Sequence, residues 1–152
     1  MAWMRSALCS AALLLAGMAL HAQEVPSGWK VVKDKAGTCQ IAVPADWVAD
    51  KLLSSFMTSP DGKASAVAHG LRPGQGFAEA MSTAKMVVPP EKIIEESAKR
   101  LWYLTKSNGP ATGTDWYVAV ATEPICTAQV NFKVPALEDT ARKIALSLTK
   151  AK

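Results

Sequence analysis

The chain has 152 residues, with 17 Lys and Arg against 13 Asp and Glu, a formal net charge of +4 and 49% hydrophobic residues. That length fits one domain with an ordinary buried core. The cations are scattered and form no phosphate-tracking stripe, which argues against a nucleic-acid partner.

The N-terminal run MAWMRSALCSAALLLAGMALHA carries one early cation, Arg5, then an apolar stretch from Ala7 to Leu20, then the small residue Ala22. This is the order of a secretory signal peptide, so residues 1–22 are expected to be removed and residues 23–152 to form a single domain. The apolar run is shorter than the roughly 20 residues of a membrane-spanning helix, so no transmembrane anchor is expected after processing. Removing Arg5 leaves 16 basic residues against 13 acidic ones, a net charge of +3. The expected location is exported, either periplasmic or secreted.

WKVVK, from Trp29 to Lys33, reads as a strand, and Lys35-Ala36-Gly37 as a turn. CQIAV alternates Cys39, Ile41 and Val43 against Gln40, the period of a half-buried strand that ends at Pro44. Pro60-Asp61-Gly62 has turn chemistry and joins two hairpin arms, Ser55 to Ser59 and Ala64 to Leu71. LRPGQG lacks the glycine spacing and the Gly-Lys-Ser/Thr ending of a nucleotide loop, and reads as a lead into a helix. That helix places Phe77, Ala80, Met81, Ala84 and Val88 on one face and stops before Pro89. A second helix is expected from Pro90 or Glu91, with Glu91, Glu95 and Glu96 near its positive end, and residues 101–107 fit either its continuation or a strand. NGPATG is a loop, and TDWYVAVAT is apolar on both faces like a central strand. ICTAQVNFK alternates, with Cys126, Ala128, Val130 and Phe132 inward and Thr127, Gln129, Asn131 and Lys133 outward, after a Glu123-Pro124 turn. Leu137, Ala141, Ile144, Ala145 and Leu148 mark a C-terminal helix.

After signal removal, Cys39 and Cys126 form an even pair in an exported chain and are expected to bond. Neither lies in C-x-x-C, and His69 is the one histidine beyond the signal segment, so neither a metal nor another cofactor is expected. Trp29, Trp47, Trp102 and Trp116 are many for so small a core, which makes them candidate binding residues. Ser82 and Lys85 have the S-x-x-K spacing, but Ser147 and Lys150 repeat it and the companion elements of acyl-transfer enzymes are missing. A catalytic alternative would be a small periplasmic hydrolase or transferase in which His69 works with Asp61, Asp115 or Ser82.

A strand ending in Val43-Pro44 with Trp47 beyond it, the Ser59-Pro60-Asp61-Gly62 hairpin and the closing Ala145-Leu146-Ser147-Leu148 together resemble the PsbP/Mog1-like group. The resemblance implies an α+β fold, an antiparallel sheet with helices packed against it in an α/β/α sandwich. It also implies a binding or assembly factor without catalytic residues. The cysteine pair is not part of that resemblance. Together these readings predict an exported, non-enzymatic module that binds a protein, an envelope component or a small ligand.

Overall fold

The computed structural model describes residues 25–53, 55–71, 74–106, 114–121 and 125–152. The signal segment, the NGPATG loop and the Glu123-Pro124 turn lie outside the described residues.

Among the described residues the fold is α+β, built from two antiparallel sheets of ten strands in all and two α-helices. Ten strands carry it: β1 (Trp29–Lys33), β2 (Cys39–Pro44), β3 (Val48–Ala49), β4 (Met57–Thr58), β5 (Ala64–Gly70), β6 (Lys92–Glu96), β7 (Arg100–Lys106), β8 (Asp115–Ala121), β9 (Cys126–Phe132) and β10 (Thr149–Lys150). The helices are α1 (Phe77–Val87) and α2 (Glu138–Leu146), the latter preceded by a 3₁₀ turn at Pro135–Leu137. The larger sheet runs β3-β4-β5-β9-β8-β7-β6, and the smaller runs β1-β2-β10. Among the described residues, no helix is long and apolar enough to cross a membrane.

The larger sheet buries both faces, each against a different layer. On one face Ala66, Ala128, Val130, Phe132, Tyr117 and Trp102 pack with Ile41 and Val43 of β2 and with Ala141, Ile144 and Ala145 of α2. Trp102, Tyr117 and Phe132 form an aromatic row across three strands, with ring centroids 5.7 and 5.8 Å apart. On the other face Leu101, Tyr103, Val118 and Val120 pack with Ala80 of α1, with Phe77, Met81, Ala84 and Val88 at the margin. That is the helix stripe read from the sequence.

Two expectations are corrected. No second helix follows Pro90: residues 92–106 form the β6–β7 hairpin, which also settles residues 101–106 as strand. The β-branched pair Ile93-Ile94 and the aromatics of β7 outweigh the charge pattern. Glu96 pairs with Lys85 at 2.7 Å and Glu95 with Arg100 at 3.8 Å, so the acids serve cross-element contacts and not a helix terminus. Ser97 closes the hairpin, its N–H donating to Arg100 O at 2.8 Å. The second correction concerns β2, which is buried on both faces from Cys39 to Val43 instead of half-buried. It is the middle strand of its sheet, flanked by β1 and β10, and the tail covers Gln40, whose Oε1 accepts Lys152 N–H at 3.3 Å.

Two clamps join the small sheet to the large one at the same end. Cys39 and Cys126 are bonded, with Cα atoms 5.8 Å apart, and both are buried. Beside them the Asp34 carboxylate accepts N–H bonds from Thr38 (2.7 Å), Cys39 (2.9 Å) and Gly70 (2.9 Å). Burial pushes the Asp34 carboxyl up, but the backbone donors outweigh it and hold the group below the usual carboxylate value. Asp34 thus links the β1–β2 turn to the last residue of β5, next to the staple.

Candidate functional site

Helix α1 is a light lid on the sheet. Its sequence FAEAMSTAKMV offers Ala80 as its single buried residue, where α2 buries three. Small side chains on the packed face leave a gap beneath the helix instead of filling it. The gap is a cleft of about 220 Å³, lined by Leu71, Ala80, Ala84, Val87, Val88 and Val118 together with Gln75, Thr83, Thr127 and Gln129. It opens toward a wider mouth bordered by His69, Gly70, Gly74 and Glu79, which shares Leu71, Gln75, Thr83 and Thr127 with it.

Strand register explains the floor. β9 pairs with β5 and β8 so that His69, Thr127 and Val120 are level, as are Val67, Gln129 and Val118. Thr127 and Gln129 therefore face α1, and both are half-buried, not outward in solvent as the alternation alone suggested. Tyr103 fixes the roof: its hydroxyl lies 2.9 Å from Ala84 O and 2.8 Å from Val88 O, one proton shared between two carbonyls at the end of α1. Burial pushes that phenol up to about 12, so it remains a donor throughout the ordinary pH range.

Gln75, Thr83, Thr127 and Gln129 have no side-chain hydrogen bond within the protein among the described residues. On the opposite face of the sheet a shallow groove of about 480 Å³ is lined by Lys92, Ile94, Trp102, Tyr117, Glu138, Asp139 and Arg142. There the Tyr117 hydroxyl donates to Glu138 Oε1 at 2.9 Å and Arg142 donates to Asp139 at 3.2 Å. Of the two, the cleft beneath α1 is the one whose uncharged polar side chains are left without a partner among the described residues, between apolar walls, the pattern of a ligand pocket.

The sequence-derived candidates fall in several places. Trp47 and Trp102 are buried in the core, and Trp29 packs at its margin. Trp116 lies on the α1 face, opposite Thr105, with its indole N–H donating to Thr114 Oγ1 at 3.1 Å. Trp102 and Trp116 thus stand on opposite faces of one sheet. His69 is exposed at the cleft mouth. Asp61 and Asp115 are not brought to it: both lie at the Ala64 end of the sheet, and His69 is five residue steps along β5 from Ala64, about 17 Å. Ser82 is exposed on α1, and Lys85 is engaged with Glu96. Ser147 receives Ala42 N–H at 2.8 Å and donates to Ile144 O at 2.6 Å, a structural role. Gln75, Thr83, Thr127 and Gln129 escaped the sequence reading. For Thr127 and Gln129 the signal was the polar half of the ICTAQVNFK alternation, on a strand whose position in the middle of the sheet leaves that half facing a helix.

No protein-family model and no curated protein matches the chain. Among solved structures it is similar to the solution structure of cyanobacterial PsbP (CyanoP) from Synechocystis sp. PCC 6803, at 11% identity and a TM-score of 0.44. The similarity spans 82% of this chain and 94% of that one.

Proposed function

We propose that the protein is an exported, non-enzymatic binding module whose ligand enters the cleft between α1 and the large sheet. The observation that carries this reading is the set of four neutral polar side chains, Gln75, Thr83, Thr127 and Gln129, left without internal partners among the described residues and set along six apolar ones. A half-buried amide or hydroxyl in such a place is satisfied by solvent or by a ligand, and a ligand that also covers the valines gains apolar burial that water cannot supply. The leader-like N-terminus and the Cys39–Cys126 bond support an oxidising, exported setting. The two clamps at the mouth support a binding role, because they hold Gly70 and Cys126, the neighbours of His69 and Thr127, in fixed positions.

Native mass spectrometry of protein recovered from the envelope of the producing cells tests this. A bound small molecule should be carried by the wild type and lost from Ala84→Phe, which fills the cleft. Retention of the same adduct by a folded Ala84→Phe variant would place the ligand elsewhere and defeat the proposal.

A further inference from the structure

We infer that the cleft takes a linear aliphatic chain of about eight to ten carbons bearing an uncharged polar head, with the tail beneath the end of α1 and the head at the mouth. This inference rests on the reading of the cleft as a binding site.

Length and polarity come from the helix wall. Ala80, Ala84 and Val88 recur at every fourth position and line the narrow part of the cleft in order, with Thr83 and the more exposed Val87 beside them and Glu79 beyond at the mouth. Eight residues of helical rise make that wall about 12 Å long. An extended alkyl chain advances roughly 1.3 Å per carbon from ordinary bond lengths and angles, so the wall matches about nine carbons. Polarity falls along it. Glu79 and Gln75 stand with His69 at the open end, Thr83 with Thr127 in the middle, and Val87 and Val88 with Val118 and Gln129 in the narrow part.

Among the described residues, none of the ten that line the cleft is charged. A charged ligand body there would lose its hydration without a counter-ion, so the body must be neutral. An extended peptide fits poorly for a related reason. Its amides recur about every 3.4 Å, and the three valines would leave most of them unmatched. Ala80 and Ala84 give the slot the width of a chain, while the mouth, open to His69 and Glu79, has room for a hydroxyl-rich or amide head. The same chemistry could belong to a dispersed amphiphile or to an acyl chain drawn from a bilayer.

The probes are butyl, hexyl, octyl and decyl glucoside, each titrated below its micelle concentration while ¹H–¹⁵N spectra of the protein are recorded. Saturable shifts are expected at Thr83, Val87, Thr127 and Gln129. Affinity should rise roughly fourfold per added methylene and level off near eight to ten carbons. Ala84→Phe should weaken octyl glucoside by about tenfold or more, and if that variant does not fold, Thr83→Leu on the half-exposed wall supplies the same comparison. Co-sedimentation with vesicles of zwitterionic phospholipid would assign the chain to a bilayer source. Glucoside binding without co-sedimentation would assign it to a dispersed amphiphile. Shifts confined to the Trp102–Arg142 groove, or an affinity indifferent to chain length, overturn the inference. Cleft shifts with an envelope extract but none with the glucosides overturn the ligand class and leave the cleft standing. No cleft shift with either overturns both.

Discussion

Opening the Cys39–Cys126 bond perturbs the unfolded chain more than the folded one. The two cysteines are 87 positions apart, and for a loop of that size the chain-entropy model gives about 4.6 kcal/mol of stabilisation. In a chain of roughly 130 folded residues, with an unfolding entropy of about 2.1 cal/mol/K per residue, that corresponds to a drop in Tm of about 17 °C. Cys39→Ala and Cys126→Ala should each lose most of this, and the double variant little more, because either change opens the same loop. The denaturant slope m should rise in all three, since the unlinked chain exposes more surface when unfolded. Urea titrations followed by fluorescence read both quantities. Both cysteines are nearly inaccessible, at 0% and 1%, so reductant should cleave the wild-type bond only as the protein opens, at a rate that climbs with denaturant. Losses that add across the two single variants, or a double-variant loss below about 1 kcal/mol with m unchanged, would refute the argument that the bond acts by constraining the unfolded chain.

Asp34→Ala strips three backbone N–H groups of their acceptor and should cost roughly 1–3 kcal/mol in chemical denaturation. Because the folded Asp34 carboxyl is held below its unfolded value, its contribution is complete above about pH 4 and fades as pH falls through the folded value; the variant should lack that portion of the acid sensitivity. Gly70→Ala places a Cβ 3.3 Å from both Asp34 Oδ2 and Thr38 Cβ, so it should destabilise by about 1 kcal/mol, and a neutral result would mean that the clamp yields freely. Tyr103→Phe removes the tether on the last turn of α1 and should cost about 1 kcal/mol while quickening amide exchange in α1 more than in α2. The same tyrosine predicts an alkaline limb: its folded value near 12 exceeds the unfolded 10, so its stabilisation holds below pH 10 and is lost between about 10 and 12.

Much of the fold was legible because period and punctuation agreed. The β9 alternation, the α1 and α2 stripes, the Pro60-Asp61-Gly62 turn and the strand stop at Pro44 each rest on one local rule, and each is found where the rule puts it. Glycine at position 62 has φ of +67°, the conformation the turn required. Residues 91–100 were misread, and residues 101–106 left open between helix and strand, because two local signals conflicted. Acids after a double proline favour a helix start, while Ile93, Ile94 and the β7 aromatics favour a sheet, and partners distant in sequence decided between them. The cleft was hidden for another reason. Thr127 and Gln129 looked solvent-facing until α1, more than forty residues earlier, was seen to lie over them, and small residues on a helix do not announce a gap in one dimension.

Hydrogen–deuterium exchange of the protein, alone and with an envelope extract, tests the cleft most directly. Helix α1 buries one residue, Ala80, and is otherwise held by marginal packing, the Tyr103 tether and the exposed Lys85–Glu96 pair, so its amides should exchange earlier than those of α2 in the isolated protein. A ligand seated beneath it should slow exchange along α1 and at residues 126–130 of β9, and Ala84→Phe should abolish that protection. Protection confined to α2 and β6 around the Trp102 groove, with α1 unchanged, would contradict the account.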